Sequence, residues 1–198
     1  DISRRGFLGG AAALAASPAL AKRSQPEEPI NLLSWNTQAE SVLHRAAKAA
    51  GMRGQELAQF LAQTKHESAD FARMKEIGGV KYFTQRYDPQ YSPEKAKILG
   101  NTHPGDGARY HGRGFIQITG RSNYRMAGEA LGLPLEQHPE IAARPDVAAR
   151  IAVWYWKTRV KPHVRNFADT ASVTKYINPA MRGLEDRHAN FLDYQRIL

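Results

Sequence analysis

The chain has 198 residues, enough for one domain with short extensions, and 42% of them are hydrophobic and 24% charged, an ordinary composition for a folded protein. It contains no cysteine, which excludes a disulfide framework, a thiolate metal site and a cysteine nucleophile. Its formal net charge of +9 favours polyanions such as nucleic acid, anionic lipid headgroups or acidic wall polymers, without choosing among them. In chain order, Ser3-Arg4-Arg5-Gly6-Phe7-Leu8 precedes an uncharged stretch over residues 9–21 that closes on Ala19-Leu20-Ala21. A basic end, a short apolar core and a small-residue exit predict a twin-arginine export signal over residues 1–21 and a periplasmic or extracellular destination. That core is too short to cross a hydrocarbon layer of roughly 30 Å, so no stable membrane insertion is expected once the signal is removed. Residues 22–34, with Pro26 and Pro29, read as a linker, and the folded domain spans 35–198 from Trp35 onward.

Thr37-Gln38-Ala39-Glu40 fits a capping box, and the helix it opens runs to Gly51. A second helix starts near Gln55, with Leu57, Phe60, Leu61 and Thr64 on one buried stripe. Gly78-Gly79 ends this region, and residues 80–91 are rich in Tyr, Phe and Arg. Ser92-Pro93 predicts a capped helix with proline in its first position, ending at Gly100. A turn-rich loop covers 101–107, a β-prone run covers Phe115 to Thr119, and helices are expected over 121–131, 146–160, 170–177 and 184–197. The class this predicts is mainly α (α+β), with a small β element and an open cleft lined by loops.

Three groups of residues carry chemistry. In Lys65-His66-Glu67-Ser68, Glu67 lies seven residues after Phe60 and four before Phe71, so on one continuous helix it shares their apolar face. Desolvation there would keep a carboxyl protonated, as a general acid requires; the bland alternative is a Glu at the stripe's edge, neutralised by Lys65 or Arg73. His66-Glu67 lacks the second His of a zinc-protease motif, because position 70 is Asp70, and no metal or other cofactor is expected. Glu76 is a second carboxylate, but nine helical residues would point it away from Glu67. It serves the same cleft only if the helix breaks or the chain reverses; a solvated Glu after a helix end is the reading that spacing alone favours. Finally, in Tyr110-His111-Gly112-Arg113-Gly114-Phe115-Ile116-Gln117-Ile118-Thr119-Gly120, two-residue alternation puts Ile116 and Ile118 on one side and Phe115, Gln117 and Thr119 on the other. Gln117 and Thr119 could then hold a water and a sugar N-acetyl group. Trp154-Tyr155-Trp156 sits in an apolar helical stretch and reads as core.

Taken together, the segments Ala62-Gln63-Thr64-Lys65-His66-Glu67-Ser68, His111-Gly112-Arg113-Gly114-Phe115-Ile116-Gln117-Ile118-Thr119 and Asn123-Tyr124 resemble the family 19 glycoside hydrolases, the plant-type chitinases and phage endolysins. The resemblance runs from about residue 55 to residue 190, and the cysteine-free chain looks more like the bacterial and phage members. It implies a lysozyme-like fold and hydrolysis of β-1,4 bonds beside N-acetylated sugars by an inverting route. Glu67 is then the acid, Glu76 the base acting on water, and Thr119 the residue that positions the water. His66, Tyr110, Arg113, Gln117, Asn123, Asn178 and Arg187 are then substrate-binding residues, Arg187 also organising the carboxylates. Ile177-Asn178 and Asp186-Arg187 match the C-terminal motif, although Pro179-Ala180 stand where the family has two glycines. The expected partner is a polysaccharide, peptidoglycan ahead of chitin because of the basic charge, acted on by a monomer. A catalytically silent wall-binding protein is the competing class; a nucleic-acid binder has only the charge in its favour.

Overall fold

A computed structural model describes residues 38–198. The predicted signal, the linker, Trp35 and the Thr37 cap lie outside the described residues. The helices are α1 (Gln38–Ala49), α2 (Gly54–Glu67), α3 (Val80–Tyr87), α4 (Pro93–Leu99), α5 (Asp106–Arg109), α6 (Arg121–Leu131), α7 (Pro145–Tyr155), α8 (Thr170–Lys175) and α9 (Leu184–Ile197). The fold is mainly helical, as the resemblance implies. Among the described residues no helix is long and apolar enough to cross a membrane.

α2 is the central element. Every residue from Leu57 to Thr64 is buried, so the single stripe expected from the pattern is corrected to a helix covered on all sides. Three of those eight residues are polar and must find partners. Gln59 donates to Thr170 Oγ1 at 2.8 Å, Gln63 to Thr174 Oγ1 at 3.0 Å, and the Thr64 hydroxyl to the Phe60 carbonyl at 2.8 Å. α9 lies along α2 with Arg187, Asn190, Phe191 and Tyr194 buried at helical spacing.

Two apolar clusters share α7 as a wall. One gathers Leu43, Met52, Leu57, Phe60, Leu61, Phe71, Phe115, Trp156 and Phe191 together with Ala148 and Ala152 of α7. The other gathers Tyr110, Ile118, Tyr124, Leu135 and, from α7, Val147 and Ile151. Each large side chain fully buried here contributes roughly 1.5–3 kcal/mol. Ile116 packs against both clusters, which wedges the loop that carries it between them.

The break between Glu67 and Glu76 comes earlier than the glycine pair suggests. α2 stops at Glu67, and Ala69, Asp70 and Phe71 then take left-handed φ values of 48°, 57° and 62°. For residues with a Cβ each such conformation costs roughly 1–2 kcal/mol. The Ser68 hydroxyl bonds the Thr64 carbonyl at 2.7 Å and accepts the Phe71 amide at 3.2 Å, which helps to hold the turn. Phe71 is therefore not on the helical face of Glu67; it reaches the core by this turn and packs edge-on to Phe115.

The β element is smaller than predicted. Antiparallel bridges join Lys75 to Arg113 and Arg113 to Ile118, and residues 114–117 between them form a turn with Gln117 at φ 51°. Two-residue alternation fails as a result: Phe115 enters the core, whereas Ile116, Gln117, Ile118 and Thr119 all border one cavity. Two further differences are local. Ser92 does not cap α4 and instead donates to the Gln85 carbonyl at 2.9 Å. The helix expected over 146–160 gives way after Tyr155 to a π turn over Trp156–Val160.

Candidate active site

Glu67 ends α2 with one carboxylate oxygen bonded by Arg187 Nη2. The Arg187 side chain is 1% exposed and that of Glu67 25%. A guanidinium taken out of water needs its charge matched and its N–H groups filled. Arg187 Nη1 donates to Gln63 Oε1 at 2.6 Å and Nε to the Arg182 carbonyl at 3.0 Å. From Gln63 the network continues to Gln59 at 3.4 Å and through Thr170 to His188 Nδ1 at 3.0 Å. A polar chain thus runs through α2, α8 and α9 and ends on Glu67. Neither Lys65 nor Arg73 neutralises this carboxylate; Lys65 lies 3.9 Å from Asp70. His66 Nδ1 donates to Asp186 at 2.6 Å. Its ring lies over Gly183, where an added Cβ would overlap it. Among the described residues no cluster of His, Asp and Glu could hold a metal ion.

Glu67 opens onto a cavity of about 220 Å³, lined also by Leu99, Ile116, Gln117, Ile118, Thr119, Asn123, Trp154, Tyr155, Arg159 and Ile177. The Thr119 hydroxyl donates to the Gln117 carbonyl at 2.9 Å, and Asn123 Nδ2 to the Thr119 carbonyl at 2.7 Å. With its proton committed, the Thr119 oxygen faces the cavity lining as an acceptor. Gln117 Nε2 is tied to the carbonyls of Gly114 at 2.9 Å and Arg73 at 3.2 Å, which directs its Oε1 the other way.

Glu76 is held by different means. Its amide donates to the Gly112 carbonyl at 2.8 Å, and Gly112 N returns a bond to Glu76 Oε2 at 3.0 Å. Tyr87 donates its hydroxyl to Oε1 at 2.7 Å. Burial and this bond push the Tyr87 phenol up to about 12, so it stays a donor. Arg86 Nε bonds the same hydroxyl at 3.0 Å, and Lys95 Nζ lies 4.7 Å from the ring centre. Glu76 is outside the cavity lining, but Gln117 connects the two. A Cβ added at Gly112 would lie 3.0 Å from Gln117 Oε1 and 3.2 Å from Glu76 Oε2. Only glycine lets the amide carbonyl and the carboxylate converge there.

Glu67, Gln117, Thr119 and Asn123 are brought together around the cavity, and Glu76 stands beside it. Five expected substrate contacts are outside the cavity lining, the first being His66, whose ring bonds Asp186. Tyr110 is buried in the second cluster and donates to the Glu136 carbonyl at 3.0 Å. Arg113 is buried too, with Nη1 on the Arg109 carbonyl at 3.0 Å and on Tyr124 Oη at 2.9 Å. Asn178 accepts the Ala180 amide at 3.1 Å, and it is Ile177 that reaches the cavity. Arg187 is buried, with its donors on Glu67, Gln63 and the Arg182 carbonyl.

The reading of Trp154-Tyr155-Trp156 as core is correct for Trp156, whose ring packs edge-on to Phe60. Trp154 and Tyr155, however, line the cavity. They, Leu99 and Tyr87 escape sequence reasoning because apolar helical spacing looks the same at the rim of a cleft as in a core, and Arg159 because an exposed cation carries no signal of the cavity it borders.

A family model described as Chitinase class I matches residues 37–182. A Haemophilus influenzae glycosyl hydrolase family 19 domain-containing protein is 31% identical over 169 residues, 75% of this chain and 82% of that protein. An Arabidopsis thaliana endochitinase is 40% identical over 118 residues, 59% of this chain and 37% of the plant protein. The chain thus spans little more than a third of the plant relatives it matches. The crystal structure of chitinase C from Streptomyces griseus aligns with a TM-score of 0.59 and 26% identity, covering 79% of this chain and 82% of that one. A family GH19 class IV chitinase from Zea mays also aligns at 0.59, with 22% identity over 82% of this chain and 81% of that one, a likeness of fold.

Proposed function

The chain belongs to glycoside hydrolase family 19, the class I chitinase family, and from that premise we propose that it hydrolyses β-1,4 bonds beside N-acetylglucosamine by single displacement. The observation that carries the proposal is the pair of carboxylates at one cavity, Glu67 lining it beside Arg187 and Glu76 held by Tyr87 and Gly112 next to the lining residue Gln117. Glu67, in its acid form, gives its proton to the glycosidic oxygen. The carboxylate left behind regains the ion pair with Arg187 that the structure shows. Glu76 takes a proton from water as that water attacks the anomeric carbon from the opposite face. Each Glu76 oxygen has a lone pair beyond the one already engaged, so its two existing bonds orient it and leave a site for the water's proton. Thr119 accepts a hydrogen bond from a bound water, and Asn123 steadies Thr119. The attack inverts the anomeric carbon, and the first product of a β-linked substrate is the α anomer.

The proposed substrate is bacterial peptidoglycan, supported by the net charge of +9 and by the export signal read over residues 1–21. We propose that the chain is exported to the periplasm or medium by the twin-arginine route and acts as a monomer. Chitin is the second reading, favoured by the endochitinases among the relatives. Mass spectrometry of the products from purified peptidoglycan and from chitin hexamers tests both. Cleavage of the wall glycan next to N-acetylglucosamine is the expected result, and cleavage of chitin alone would replace the first reading with the second. Hydrolysis of neither would overturn the function. Proton NMR in the first minutes must show the α anomer; an initial β signal would overturn the role of Glu76.

A further inference from the structure

Among the described residues, the lining of the Glu67 cavity includes one cation, Arg159. α7 closes in a π turn over Trp156–Val160, followed by a 3₁₀ turn over Lys161–His163. Pro162 has no amide proton to continue an α-helical ladder. Single π turns of this kind are frequent at functional sites. Here Trp156 and Val160 turn into the core, while Trp154, Tyr155 and Arg159 line the cavity with Glu67. Burial pushes the Tyr155 phenol up, and the residue senses both Arg159 and Glu67, so the three groups lie within electrostatic reach of one another.

Arg159 is exposed at the end of this wall. Among the described residues it makes no ion pair with a carboxylate; its polar contact is Met126 Sδ, 3.9 Å from Nη2. Two other cations are committed, and Lys157 on the same turn is outside the cavity lining. Arg187 is buried on Glu67 and Gln63, and Lys161, two residues on, pairs with Glu56 at 2.8 Å. An exposed guanidinium facing a catalytic cavity offers a planar fork of donors that matches a carboxylate two bonds at a time. A chain of N-acetylglucosamine alone presents only hydroxyls and amides. A wall glycan carries a carboxylate on every second sugar, either as a lactyl acid or through its attached peptide.

We infer that Arg159 is a specificity residue that recognises a carboxylate on the bound glycan and selects an anionic N-acetylhexosamine chain over a neutral one. This rests on the glycosidase reading above and narrows its substrate. The test is calorimetry on Glu67→Gln protein, which does not turn substrate over. Its ligands are chitotetraose and a tetrasaccharide that alternates N-acetylglucosamine with N-acetylmuramic acid. The carboxylated sugar is expected to bind about tenfold tighter, the ratio that one charge-assisted hydrogen bond supplies. Adding Arg159→Gln should bring that ratio to about one. A ratio that survives the second substitution, no preference to begin with, or no binding of either sugar overturns the inference. With Glu67 intact, Arg159→Gln should lower kcat/KM on wall glycan relative to chitin hexamers, and an equal loss on both overturns it as well. If the unsubstituted protein hydrolyses neither polymer, the glycosidase reading fails by itself, and the calorimetric ratio still decides whether Arg159 reads a carboxylate.

Discussion

The two carboxylates sit in regions built on opposite principles. Glu67 is fixed by side chains: Arg187, Gln63, Gln59, Thr170 and Thr174 form a buried set in which each polar group depends on the next. Glu76 is fixed mainly by backbone. Its amide and carboxylate both engage Gly112, and its neighbour Lys75 bridges to Arg113. The loop ahead of that strip is tied by Asp88 and Asp106 to amides of residues 102–107. A side-chain network fails as a unit when one member is lost, because partners remain buried and unpaired. A backbone bridge survives most substitutions of the side chains along it. The acid region is therefore rigid and brittle, and the base region tolerant and adjustable.

Glu67→Gln sets the scale. It should lower kcat about 10²–10⁴-fold and leave the fold in place, since an amide still accepts from Arg187; loss of the thermal transition would mean that the residue is structural first. The brittleness itself is tested by Arg187→Ala. Urea titration should show a loss of about 3 kcal/mol, the lower end for breaking a buried pair because Glu67 keeps some access to water. A loss under 1 kcal/mol would erase the contrast between the regions.

In the base region the largest stability effect should come from Asp106. Burial alone would raise its carboxyl, but Arg121, bonded at 2.6 and 2.9 Å, and the amides of His103 and Thr102 hold it below the usual aspartate value. A depressed carboxyl contributes stability that is present above its unfolded value, about 3.9, and lost as the pH falls through the folded one. Asp106→Asn should thus cost about 2 kcal/mol at neutral pH, and the two denaturation curves should converge in acid. A constant gap at every pH would remove the charge from the explanation. The smallest effect is expected from Tyr87→Phe. Glu76 keeps its bond from Gly112, so about a fivefold fall in kcat and less than 1 kcal/mol of stability should be lost, the worth of one hydrogen bond. A fall as large as that of Glu67→Gln would mean that Tyr87 takes part in proton transfer.

Helix boundaries were legible wherever the ends carry their own chemistry. Gly100 and Gly132 take left-handed φ at the ends of α4 and α6, and α9 runs over the expected residues. Glu67, Gln117 and Thr119 were legible as motif residues, and their meeting at one cavity follows the resemblance. The rest depended on tertiary context. Nothing in Ala69-Asp70-Phe71 announces three left-handed residues, since none is glycine. The alternation around Gln117 imitates a strand because Ile116 and Ile118 are both apolar, yet the residue between them turns the chain. Arg113 and Tyr110 were expected at the substrate and are instead buried, bonded to Tyr124 and the Glu136 carbonyl.

The left-handed turn after α2 bears on how freely the gap between acid and base can change. Glu67 is anchored from α9 and Glu76 from Gly112, so neither end of the segment that joins them relies on that segment for its place. Phe71 is pegged into the core, but Ala72 and Arg73 are exposed. Residues added between Ala72 and Arg73 would meet solvent, and both carboxylates would keep their anchors as long as the Arg73 carbonyl still holds Gln117. The nine-residue spacing is thus a tether and not a ruler, and chains with a longer or shorter tether can keep the same working distance.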